Sequence, residues 1–75
     1  MTVLTFGVVT EIIGQSNLTI EDVPSTEELT KKLEAQFPRL KSINYAIAVN
    51  KRLIKAPTPL DNNATVALLP PFSGG

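Results

Sequence analysis

One segment of this chain has the full signature of a helix, and strand-like sequence lies on both sides of it. Ser25-Thr26-Glu27-Glu28 has the spacing of a capping box, with Ser25 as N-cap and Glu28 reaching back. Pro24 and Leu29 stand where a hydrophobic staple would close the first turn. Leu29, Leu33 and Phe37 recur every fourth residue and define one apolar stripe. Glu27 with Lys31 and Glu28 with Lys32 are i,i+4 pairs for the outer face. Pro38 ends the helix, because the residue before a proline avoids the helical region. A helix with one apolar stripe needs a single surface to cover, and here that surface must come from strands. With 75 residues there is room for one small domain, burying about 60% of the surface of the unfolded chain. The chain has no cysteine, so the fold is held by that core without disulfides.

Thr2-Val3-Leu4-Thr5-Phe6 alternates and is rich in β-formers, which predicts a strand. The more apolar pair, Leu4 and Phe6, is assigned to the helix side, and Val3 and Thr5 to the opposite side. Val8 to Ile13 is expected to form a short helix stopped at Gly14. Ser16 to Ile20 reads as a second strand, antiparallel to the first. After the main helix, Tyr45 to Val49 is a strand, Asn50-Lys51 a turn, and Arg52 to Lys55 a short returning strand. Ala56-Pro57-Thr58-Pro59 is a connector, Leu60-Asp61-Asn62-Asn63 a turn, and Thr65 to Leu69 the last strand. The expected class is α+β: a mixed sheet curled over one main helix, with a short extra helix. This is the β-grasp arrangement, with the last strand in the sheet centre. The helix stripe would then bury against Leu4, Phe6, Ile47, Val66 and Leu68. Val3, Ala48, Ala67 and Leu69 would face away. A sheet covered on one side ordinarily shows polar residues on the other, so a small, apolar outer face suits a protein partner.

The domain is expected to span 1–69, with 70–75 as an extended reactive tail. Pro70-Pro71 fixes φ and favours a stiff, extended chain. From Pro70 through Phe72, Ser73, Gly74 and Gly75 the tail would reach roughly 20 Å. That is enough to enter another protein's active site, with Phe72 as an apolar anchor. Glycines at 74 and 75 have no Cβ, so the tail can thread a narrow channel and expose the last carbonyl carbon. A free carboxylate is a poor acyl donor and must first be activated, commonly as an acyl-adenylate. The chain has no Gly-Lys-Ser/Thr phosphate loop, so ATP would be consumed by a separate enzyme. The activated glycine could then take up sulfur as a thiocarboxylate or pass to a lysine as an isopeptide.

Composition narrows the choice. Histidine and cysteine are both absent, which removes the usual general base, the thiolate nucleophile and the commonest metal ligands. No bound cofactor or metal is expected. Asp61 beside Asn62 and Asn63 reads as a turn former. The net charge is zero, so attraction to nucleic acid or an anionic membrane is not expected. The charge is nonetheless segregated: residues 1–30 hold five acids and no base, and 31–55 hold all seven bases and one acid, Glu34. The N-terminal segment lacks the basic-then-apolar pattern of a signal peptide, and a cytoplasmic protein is expected.

Leu68-Leu69-Pro70-Pro71-Phe72-Ser73-Gly74-Gly75 resembles the ending of the small subunits of molybdopterin synthase, in the MoaD/ThiS sulfur-carrier family. The segment from Phe6 through Glu11 to Gly14 resembles that family's N-terminal segment, and Ala48-Val49-Asn50 its central hairpin. Thr10 stands where the family often has an arginine. The resemblance implies a ubiquitin-like β-grasp protein whose Gly75 is adenylated by a ubiquitin-activating-type adenylyltransferase and converted to a thiocarboxylate. It further implies insertion of the tail into a large synthase subunit. There sulfur would pass to cyclic pyranopterin monophosphate within a heterotetramer. The chain would be a sulfur donor and not an enzyme on its own. A carrier for thiamine thiazole synthesis and a ubiquitin-like modifier of lysines are the alternatives. Across these readings Gly74 and Gly75 are the reactive positions. Val3, Ala48, Ala67, Leu69, Pro70, Pro71, Phe72 and Ser73 are the expected partner contacts.

Overall fold

The computed structural model describes residues 1–70. Strand β1 (Thr2–Thr5) leads through helix α1 (Val8–Ile13) into strand β2 (Asn17–Thr19). Helix α2 (Thr26–Gln36) follows, then a 3-10 turn over Pro38–Ser42. Strands β3 (Ala46–Val49), β4 (Arg52–Leu53) and β5 (Thr65–Leu69) complete the domain. The sheet order is β2-β1-β5-β3-β4, so the last strand lies in the centre, as expected. It runs parallel to β1 and antiparallel to β3. The sheet is mixed and packs on α2 as a β-grasp.

Helix α2 begins and ends where its sequence signals stand. Ser25 is the N-cap and its Oγ accepts the Glu28 N–H at 3.4 Å. The reciprocal bond to the Glu28 carboxylate does not form among the described residues. Instead Ser25 bridges to Pro59, and the Thr26 N–H donates to the Thr58 carbonyl at 2.9 Å. The connector thus ties down the helix start. Leu29 and Leu33 are fully buried and Phe37 packs at the core margin. Phe37 is the C-cap, and Pro38 opens the 3-10 turn, which buries Leu40, a residue the helical stripe does not include. Of the two outer-face pairs, Lys31–Glu27 forms at 3.8 Å and Lys32–Glu28 does not.

The register of β1 corrects one expectation. Val3 pairs with Val66 and Thr5 with Leu68, and directly paired residues share a face. Val66 and Leu68 face α2 and are fully buried, so Val3 and Thr5 are core residues and Leu4 and Phe6 point outward. Val3, expected at a partner surface, is 0% exposed, while Phe6, expected in the core, is 46% exposed. A threonine can replace an apolar residue here because its hydroxyl is satisfied. Thr5 Oγ1 donates to the Gln15 carbonyl and bonds the Thr10 hydroxyl at 2.9 Å. Thr10 therefore has an internal structural use in this chain.

Candidate functional site

Strand β5 ends at Leu69, and Pro70 carries the chain beyond the sheet. What Pro70 rests on is Gly7. This glycine lies at φ 56°, ψ −131°, in a turn closed by the Val9 N–H on the Phe6 carbonyl at 3.1 Å. A Cβ on Gly7 would stand 3.0 Å from Pro70 Cγ. The absent side chain therefore serves both a backbone angle that L-residues avoid and a close approach by the proline ring. The tail root is seated on the β1–α1 turn. The sequence shows Gly7 only as a break in the strand pattern; its contact with Pro70 comes from the parallel pairing of β1 and β5.

The outer face of the sheet runs up to this root. Its floor is flat: Ala48 pairs with Ala67, Leu4 with Ala67, and Ala46 with Leu69. Ala48 is buried within the sheet surface, and Ala67 and Leu69 are half-buried. Larger apolar groups flank the alanines. Leu53, opposite Ala48, is 62% exposed, and Phe6 stands beside the end of β5. The expectation of an apolar outer face therefore holds for Ala48, Ala67 and Leu69, while Leu4, Phe6 and Leu53 take the place given to Val3. Leu53 and Phe6 are the large apolar side chains left most exposed among the described residues. Both lie on the face that no helix covers. Pro71, Phe72, Ser73, Gly74 and Gly75 lie outside the described residues.

On the helix side, the only group with a marked pKa displacement among the described residues is Tyr45. Burial, then the hydrogen bond and charge of Glu34, push its phenol above the ordinary range. Its hydroxyl donates to Glu34 Oε2 at 2.7 Å, tying β3 to α2. Tyr45 faces the helix and plays no part in the outer face. Asp61 accepts the Asn63 N–H at 2.8 Å and is the turn former its neighbours suggest. Among the described residues, no cluster of His, Cys, Asp and Glu could hold a metal, and no helix is long and apolar enough to cross a membrane.

A five-stranded sheet grasping one helix, with its central strand delivering the tail, defines a ubiquitin-like β-grasp protein. The ThiS family model matches residues 3–75, and the chain belongs to that family of sulfur carriers. The fold is shared with the small archaeal modifier protein 1 from Methanosarcina acetivorans. That match has a TM-score of 0.82 at 21% identity and covers 99% of this chain and 94% of that one. The Haloferax volcanii protein of the same name gives 0.80 at 20% identity, over 100% and 98%. A complex of subunits 1 and 2 of molybdopterin-converting factor from Helicobacter pylori 26695 matches with a TM-score of 0.71. Its identity is higher, 31%, over 99% of this chain and 96% of that chain.

Proposed function

We propose that this protein is the sulfur-carrier subunit of a molybdopterin synthase. The observation that carries the reading is the apolar outer face, from Leu53 to Phe6, which runs into the root of a proline-led diglycine tail. A body that docks through this face would place the residues after Pro70 at the partner's site. The 31% identity to a two-subunit molybdopterin-converting factor supports a large subunit as that partner.

The chemistry begins at Gly75. In a separate ubiquitin-activating-type enzyme, its carboxylate oxygen attacks the α-phosphate of ATP, and pyrophosphate leaves. A sulfide-level donor then attacks the acyl carbon of the adenylate, and AMP leaves with the former carboxylate oxygen. The product is a thiocarboxylate. Its sulfur bonds to an oxygen-bearing side-chain carbon of cyclic pyranopterin monophosphate in the large subunit. The carbon–oxygen bond there breaks, its oxygen leaving with the bonding electron pair and taking up a proton. Water then cleaves the acyl–sulfur bond, so the sulfur stays on the pterin and the carboxylate returns. Gly74 and Gly75 supply passage through a narrow channel and an unshielded carbonyl carbon. The carrier contributes no acid, base or metal of its own to these steps. Two carriers on two large subunits would make the assembly a heterotetramer.

The test is the intact mass of the untagged protein from its own host, with fragmentation of the tail. Sulfur in place of one oxygen at Gly75, followed by molybdopterin formation with the large subunit, is the expected result. Tail-to-lysine adducts without a thiocarboxylate would instead identify a modifier. Sulfur delivery to a thiazole synthase but not to the large subunit would move the protein to the thiamine pathway.

A further inference from the structure

The charge segregation seen in the sequence becomes a spatial one. The sheet order places the N-terminal hairpin at one edge and the β3–β4 hairpin at the other. Glu11 on α1 and Glu21 and Asp22 after β2 are exposed at the first edge. Lys51, Arg52 and Lys55 are exposed on the second hairpin and its exit. Among the described residues the only ion pair is Lys31–Glu27, and none of these three cations forms one there. They lie on the same edge as Leu53, the most exposed large apolar side chain of the outer face, with Lys51 in the turn. Arg52, paired with Val49, and Lys55, beside Thr26 and Glu27 of α2, leave that edge on the helix side. A molecule of zero net charge thus presents a cationic sheet edge next to its apolar surface.

We infer that Lys51, Arg52 and Lys55 orient docking of the large subunit, whose contact surface carries carboxylates opposite the β3–β4 hairpin. The inference rests on the outer face being the docking surface and adds its polarity. An apolar face built on a flat alanine floor fixes few rotational registers by shape. Opposed charges along one border select the register that brings Pro70 and the tail over the sulfur-accepting site. Rim charges act mainly on encounter: they raise the association rate, respond to salt, and leave dissociation nearly unchanged. Arg52 and Lys55 act across the edge at low salt, where the field of an exposed charge extends about 30 Å at 0.01 M, and are screened from the outer face as salt rises.

The experiment is stopped-flow association of the full-length carrier with the large subunit from the same organism, across a salt series. Triple reversal of Lys51→Glu, Arg52→Glu and Lys55→Glu is expected to lower the low-salt association rate about tenfold. The salt dependence should flatten or invert, with dissociation changed less than about twofold. Reversal of Lys31, paired with Glu27 on the exposed side of α2, is the control and should lower the low-salt rate less than Lys55→Glu does, with dissociation unchanged. If the triple variant is misfolded by circular dichroism, Lys55→Glu alone, outside the turn, should show the same effect in reduced size. An unchanged rate and salt slope in the folded variants overturns the inference. Leu53→Asp, run in parallel, separates the two ideas. Loss of affinity there with no effect of charge reversal removes only the orienting role. Unaffected binding by Leu53→Asp overturns the docking face and the inference together.

Discussion

At the scale of single residues, Val3 and Phe6 carry the difference between holding the fold and presenting a surface. They stand three positions apart on β1 and its exit, on opposite faces. Val3 is sealed in the core against Val66. Trimming it to alanine removes two methyl groups and leaves a partly relaxed cavity, about 2 kcal/mol. Val3→Ala should therefore lower the urea midpoint while leaving large-subunit affinity unchanged once the protein is folded. Phe6 is close to half exposed and anchors little. Phe6→Asp should change stability by less than about 1 kcal/mol. It should weaken binding of the large subunit at least about tenfold, as loss of an aromatic contact does. Titration calorimetry on both variants checks the pair, and the opposite pattern would place the docking surface elsewhere. The sequence alone cannot sort these two. Leu4 and Phe6 make one face of β1 apolar and Val3 contributes to the other, so alternation marks a strand without saying which side is inside. What decides it is Thr5, whose hydroxyl finds the Gln15 carbonyl and Thr10 only on the helix side. Leu53 escapes notice for a similar reason: a two-residue edge strand has no periodicity to read.

At the scale of elements, the β3–β4 turn and the β3–α2 contact each make a measurable claim. Val49 pairs with Arg52, so Asn50 and Lys51 are the two turn residues, at φ 50° and 72°. Both positive angles are what a two-residue hairpin of the favoured twist requires. Asn50 suits the position, and it also extends the ladder to β5. Its N–H donates to the Thr65 carbonyl at 2.8 Å and its Oδ1 accepts the Thr65 N–H at 3.0 Å. Lys51 has no such compensation and bears the left-handed cost of about 1–2 kcal/mol, against roughly 0.5–1 kcal/mol of added backbone entropy for glycine. Lys51→Gly should stabilise the protein by about 0.5–1 kcal/mol, seen as a higher urea midpoint at constant m. The Tyr45–Glu34 bond predicts a pH dependence. Burial, and Glu34 after it, raise the phenol's pKa in the folded state above its unfolded value. The folded protein therefore holds a proton that the unfolded chain gives up above about pH 10. This group's contribution is full below that pH and is lost as pH rises toward the folded value. Tyr45→Phe should flatten the fall in stability between about pH 9.5 and about pH 11.5, measured by urea unfolding. An identical alkaline slope in the two proteins would remove Tyr45 from the account.

At the scale of the whole molecule, what could be read from sequence were the elements with end signals of their own. Ser25 and Pro38 bracket α2, Gly14 in the left-handed conformation stops α1, and Pro70 closes β5. From that order, one helix against several strands leaves few topologies, and the central place of β5 follows. The contacts that complete the site were hidden because they join distant segments. Gly7 meets Pro70 across most of the chain length, and Leu40 reaches the core from a 3-10 turn with no apolar repeat. The same architecture separates support from chemistry. Among the described residues, every buried apolar residue of the core cluster falls between Met1 and Leu68. Pro70, seated on Gly7, is the last described residue. A protein ending after Pro70 should therefore melt within about 3 °C of the full chain, a shift worth less than about 1 kcal/mol in a domain this small. It should still compete with the full-length carrier for the large subunit through the outer sheet face, while forming no molybdopterin. Competition binding and calorimetry on that truncation separate the body from the tail. A large drop in melting temperature would make residues 71–75 part of the fold. A failure to compete would place the main binding energy in the tail and not in the sheet.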